Sequence, residues 1–156
     1  MKQKAYVETS MGSYLTAHPS EDLVRAAHQQ VTREWWAGRQ AFDIYVSQFV
    51  LDEASKGDPE AAALRLATLE QIAILDVTDD ATVLAEELIA GGGLPQQARV
   101  DAFHVAVATV HGMDYLLSWN CKHIANATLR SRIEAICRAA GYEPPVICMP
   151  LELVEE

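Results

Sequence analysis

Three cysteines are all this chain contains, Cys121, Cys137 and Cys148, and they form no CxxC pair and leave an odd count. Neither a disulfide framework nor a cysteine zinc site is expected from them, which suits a reducing cytoplasm. No apolar run approaches the roughly 20 residues of a bilayer span, and the runs that exist carry charges. The opening MKQKAYVETS lacks the apolar core of a secretion signal. Positive charge is scarce, with 12 Lys and Arg against 22 Asp and Glu and a formal net charge of −10. Such a chain does not draw nucleic acid by global attraction. A nucleic-acid partner would need a local basic patch, a basic partner protein or bound divalent cations. Lys122, Arg130, Arg132 and Arg138 are the candidate patch, and equally the makings of a solvated helix face. GxSxG, Walker A and GxGxxG motifs are all missing, which removes the usual signals of acyl transfer and nucleotide binding.

What is present suits one domain with its own core: 156 residues, 50% hydrophobic and 22% charged. No repeat, low-complexity segment or linker interrupts it, so 1–156 is expected to be a single domain. Short apolar runs at 4–8, 43–46, 72–77, 115–119 and 146–148 read as strands. Helical stretches lie between them, each with its own punctuation. Ser20-Glu21-Asp22 opens one that ends near Trp36 or Ala37, before Gly38; Ser47 can cap a short one before Gly57. Asp58-Pro59 opens 59–69, Thr78-Asp79-Asp80 opens 80–90, and three glycines at 91–93 end the latter. Pro95 leads into 96–110, and Asn126 or Thr128 caps a helix to Ala140, before Gly141. Strands alternating with helices predict an α/β sandwich with a mostly parallel sheet. In such sheets ligands gather at the carboxyl ends of the strands near a topological switch point.

Strand ends are therefore where chemistry is sought. Glu8 ends the first strand, Glu53 lies on the short helix after the second, and Asn120 ends the fourth. Asp101 lies near the start of the apolar, alanine-rich helix RVDAFHVAVATV, where an unpaired buried charge would be costly. Hard oxygen donors of this kind suit Mg2+ or Mn2+ rather than zinc. Each residue also has an ordinary reading: Glu8 and Glu53 as solvated acids, Asp101 as complement to the helix dipole, Asn120 as a turn cap. His104 follows Asp101 by three residues and so shares its helix face, either as base or ligand or as a hydrogen-bonded packing residue. His111 and His123 flank the fourth strand as surface or supporting groups.

Three segments, YVETS (6–10), SQFVLDEASKGDPEAA (47–62) and DAFHVAVATVHGMDYLLSWNCKHIAN (101–126), together resemble PIN-domain proteins of the VapC toxin type. The resemblance extends over nearly the whole chain. It implies an α/β fold, a three-layer α/β/α sandwich with a central mostly parallel sheet of four to five strands, and metal-dependent RNA cleavage. The family's acidic positions fall on Glu8, Glu53 and Asp101, and the fourth, Asp in many members and Asn in some, falls on Asn120. These four are the implied catalytic and Mg2+ or Mn2+-binding residues, with Thr9, Ser10, His104, Ser118 and Lys122 around them as supports or substrate contacts. Glu8 departs from the family's usual Asp by one methylene, and Asn120 removes a negative charge. The expected protein is a cytoplasmic endoribonuclease toxin with an RNA substrate, a cognate antitoxin, a homodimeric state and no membrane association. The alternative is a non-catalytic PIN-fold module that binds nucleic acid or protein.

Overall fold

The computed structural model describes residues 1–120 and 122–153. Strands β1 (Gln3–Val7), β2 (Phe42–Ser47), β3 (Ala73–Leu75), β4 (Tyr115–Leu117) and β5 (Val146–Cys148) form one sheet in the order β3-β2-β1-β4-β5. Every neighbouring pair is parallel, with Tyr6 opposite Tyr45 on one side of β1 and Val7 opposite Leu117 on the other. The helices are α1 (Thr9–Thr16), α2 (Leu23–Ala37), α3 (Gln48–Ala54), α4 (Pro59–Leu69), α5 (Asp79–Ala90), α6 (Arg99–Val110) and α7 (Ala127–Ala139). Right-handed crossovers place the helices of the β1–β2–β3 half on one face and those after β3 on the other. The packing agrees, since α1 lies against α2, α3 and α4, and α5 against α6 and α7. The result is the expected three-layer α/β/α sandwich, with a fully parallel sheet of five strands.

Strand order reverses at β1. The chain steps outward through β2 and β3, then returns to lay β4 on the opposite side of β1. The carboxyl ends of β1 and β4 thus flank the switch point, and a backbone hydrogen bond from Glu8 N to Leu117 O (3.0 Å) joins them there. Behind the switch, α6 is buried on nearly all sides, from Ala102 to Thr109. That burial explains its all-round apolar composition. Among the described residues, no helix is long and apolar enough to cross a membrane.

Local signals place most elements correctly. Asp22 accepts from Arg25 N, Asp58 from Ala61 N, Thr78 from Ala81 N and Asn126 from Thr128 N, each capping the helix that follows. Gly92, just past α5, has φ +74°, the left-handed conformation glycine tolerates best. The segment TSMGSYLT, to which no element is assigned from the sequence, forms α1; Glu8 caps it through Ser10 N, and buried Met11 and Gly12 anchor a sequence of poor helix propensity. Three expectations need correction. The strands expected at 72–77 and 115–119 shorten to Ala73–Leu75 and Tyr115–Leu117. The helix expected at 96–110 begins as a 3-10 turn, Gln96–Ala98, before α6. Ser47 stands at the start of α3 but makes no capping hydrogen bond, because its hydroxyl is engaged by Tyr6 in the core.

Candidate metal centre

Glu8 leaves β1 as the cap of α1, and its carboxylate is fixed from two directions. Oε2 accepts from Ser10 N (3.1 Å), while Oε1 accepts from the hydroxyls of Ser10 and Ser118, both at 2.6 Å. Each hydroxyl in turn accepts a backbone N–H beyond β4, Ser10 from Trp119 and Ser118 from Asn120, both at 2.9 Å. Two serines therefore tie Glu8 to the neighbouring strand end, and Glu8 is left only 5% exposed. Trp119 holds that segment down by donating Nε1–H to Thr32 (2.7 Å) and stacking on His28.

Glu53, half-buried in the last turn of α3, accepts at Oε1 from Thr9 Oγ1 (2.7 Å) and lies 2.6 Å from His104 Nε2. Burial resists its ionisation. The hydrogen bond from His104 outweighs that together with the Thr9 hydroxyl and Lys56, so the Glu53 carboxyl titrates below the ordinary carboxylate range. His104 is fully buried on α6, with Nδ1 2.6 Å from the Tyr6 hydroxyl. Ligating atoms of Glu8, Glu53 and His104 all lie within 4.8 Å of one another.

Two carboxylates this close repel each other, and a cation held between them would relieve that repulsion. The set fits a small hard divalent cation: carboxylate oxygens dominate it, and the lone nitrogen is already hydrogen-bonded to one of them. Thr9 and His104 contact Glu53, and Ser10 and Ser118 contact Glu8. Asp101 stands apart from this group. Its Oδ2 lies 2.9 Å from His123 Nδ1, in the first turn of α6. Asn120 turns its Oδ1 to His123 N (3.3 Å), and its carbonyl accepts from Ala125 N (2.8 Å), fastening the loop after β4. Lys122 is exposed.

Of the basic residues on α7, Arg138 is paired with Glu134 and Glu143, and Arg132 donates to the Gly92 carbonyl (3.5 Å). Arg130 Nε is buried without a partner among the described residues. Cys137 and Cys148 are free, buried thiols, and Cys121 lies outside the described residues. Sequence reasoning passed over Tyr6 and Ser47 and left His123 undecided. A tyrosine inside the apolar strand KAYV was the available signal, since a buried phenol needs a hydrogen-bond partner.

A five-stranded parallel sheet in the order β3-β2-β1-β4-β5 with helices on both faces defines the class as an α/β/α sandwich. The crystal structure of Mycobacterium tuberculosis VapC20, a sarcin–ricin loop cleaving toxin, has the same fold: it aligns with 90% of this chain and 99% of its own, at a TM-score of 0.58 and 20% sequence identity. No protein-family model and no curated protein matches the sequence. At the level of fold, the resemblance to VapC-type PIN domains is borne out.

Proposed function

We propose that this chain is a metal-dependent endoribonuclease, the toxin of a type II toxin–antitoxin pair, that hydrolyses RNA phosphodiester bonds. The observation that carries the reading is the meeting of Glu8 and Glu53, from two different elements, beside the carboxyl ends of β1 and β4. The similarity in fold to a toxin that cleaves the sarcin–ricin loop supports it. Glu8 and Glu53 would hold Mg2+ or Mn2+, and Asp101 and Asn120 are the two further ligands that the resemblance implies. When bound, such a cation neutralises phosphate charge and makes water a better nucleophile.

The chain's own residues do the rest. Ser10 and Ser118 keep Glu8 in one orientation, and Thr9 and His104 do so for Glu53. Asp101 is steadied by His123, which leaves Oδ1 without a protein partner among the described residues. Lys122 and Arg130 offer positive charge to an RNA backbone that the acidic remainder of the surface repels. A small antitoxin covering the site, a homodimeric state and a cytoplasmic location complete the proposal.

Purified protein is expected to cleave an RNA containing a sarcin–ricin-type loop when Mn2+ is supplied, and to stop on addition of EDTA. A folded Asp101→Asn variant that cleaves as fast as the unaltered chain would overturn the mechanism. The other reading is a non-catalytic binding module, favoured by the separation of Asp101 from the Glu8–Glu53 group. Calorimetric titration that finds neither Mg2+ nor Mn2+ binding at millimolar concentration would select it.

A further inference from the structure

Behind Glu53 a line of hydrogen bonds runs from the sheet edge into the core. Glu53 Oε1 meets His104 Nε2 at 2.6 Å, His104 Nδ1 meets Tyr6 Oη at 2.6 Å, and Tyr6 Oη meets Ser47 Oγ at 2.7 Å. Tyr6, Ser47 and His104 are each 0% exposed. With no solvent to exchange protons locally, the donor directions along such a line are coupled. A carboxylate only accepts, so Nε2 must carry a proton toward Glu53. The Tyr6 hydroxyl has one proton; given to Nδ1, it leaves the ring in the neutral Nε2–H tautomer, and Ser47 then donates to the Tyr6 oxygen. Ser47 bears the mark of this arrangement. It occupies the N-cap position of α3, where serine ordinarily bonds to the helix, yet its hydroxyl is committed to Tyr6.

We infer that His104 is a positioning residue for Glu53, with its tautomer set by Tyr6 and Ser47, and not a ligand of the cation. The inference rests on the reading that Glu53 holds a divalent metal. With Oε1 committed to His104 and Thr9, Oε2 is the Glu53 oxygen without a protein partner among the described residues and is the one left for the cation. For His104 to act as a ligand through Nε2, that nitrogen would have to release Glu53 and lose its proton. Nδ1 would then carry the proton, the Tyr6 hydroxyl would turn toward Ser47, and the whole buried line would reverse.

Tyr6→Phe is the informative variant, since it keeps the ring and removes only the hydroxyl that selects the tautomer. Two readouts are needed on the full chain: nitrogen NMR of the His104 ring without metal, and affinity for Mn2+ alone by calorimetry. The unaltered chain is expected to show Nε2 protonated and Nδ1 bare, and Tyr6→Phe a mixture of tautomers. Mn2+ affinity is expected to fall about tenfold in Tyr6→Phe, as for other residues that orient metal ligands. Ser47→Ala, which leaves Tyr6 in place, is expected to weaken binding less and in the same direction, and serves if Tyr6→Phe does not fold. Unchanged affinity and an unchanged tautomer in a folded variant would overturn the positioning role while leaving the nuclease reading intact. A proton on Nδ1 with Nε2 bare in the unaltered chain, or a His104 Nε2 resonance displaced to a coordinated position by Mg2+, would overturn it in favour of a ligand, and protons on both nitrogens would overturn the tautomer assigned to Tyr6 and Ser47. Failure of the unaltered chain to bind Mn2+ would overturn the nuclease reading itself, and the inference with it.

Discussion

Glu8 is one methylene longer than the aspartate expected at its position, and the structure gives that length a use. Its carboxylate caps α1 through Ser10 N and reaches the hydroxyl of Ser118 beyond β4. A hydrogen bond to a charged group contributes about 1.5–3 kcal/mol, more than one between neutral partners. Ser118→Ala should therefore lower stability by roughly that amount, read as a reduced midpoint in urea unfolding. Ser13→Ala, on an exposed hydroxyl that donates one long hydrogen bond to Thr9 O (3.4 Å), should change the midpoint little. At the same scale, Glu53→Gln keeps the shape of the side chain but removes the charge on which the proposed cation depends. RNA cleavage should fall at least about 100-fold while the far-ultraviolet circular dichroism is unchanged; full activity in that variant would remove Glu53 from the mechanism.

Elements show where local and non-local forces divide the work. Helices α2, α4, α5 and α7 each begin at a side-chain cap that a short window of sequence displays. Asp58→Ala should cost about 1 kcal/mol, seen as a small drop in thermal midpoint without loss of fold. Helix α1 was not legible in this way, because Thr, Ser and Gly in TSMGSYLT argue for a turn and only the burial of Met11 makes a helix there worthwhile. Strand β4 shows the opposite imbalance. It has three residues, yet Leu116 and Leu117 are fully buried and β4 carries the Ser118 end of the site. Leu116→Ala should cost about 2–5 kcal/mol, and cleavage should fall with it under conditions where part of the population unfolds.

Over the whole molecule, buried ionisable groups set the limits of stability. Burial, reinforced by Glu152 and only partly offset by Arg130, pushes the Cys148 thiol from 9.0 up to about 12. Burial among neighbouring acids raises the Tyr6 phenol as well. Both groups bind protons more tightly folded than unfolded, so their contribution is complete below their ordinary values and is lost as pH rises. Chemical denaturation should show stability declining from about pH 9 upward, and a thiol-alkylating reagent should leave Cys148 untouched in the native state until that decline sets in. A cation bound only by the folded state should act in the other direction. Mn2+ at about 100 times its dissociation constant should add about 2.7 kcal/mol, a stabilisation that EDTA reverses.

Periodicity, caps and glycine stops are short-range features, and from them the sequence alone determined the alternation of strands and helices and hence the parallel sandwich. It also marked Glu8, Glu53 and the Asp101–His104 face as chemistry-bearing, since carboxylates and imidazoles at strand ends and on an apolar helix need partners. The strand order was decided only by tertiary packing, because pairing between segments as distant as β1 and β4 depends on which faces can be buried together. That order lays β1 between β2 and β4. It brings Tyr6 to Ser47 and His104, Glu8 to Ser118, and Glu53 to Thr9 across separations of 41, 98, 110 and 44 residues. No local pattern encodes those contacts; the burial of one central strand against both its neighbours and α6 creates them.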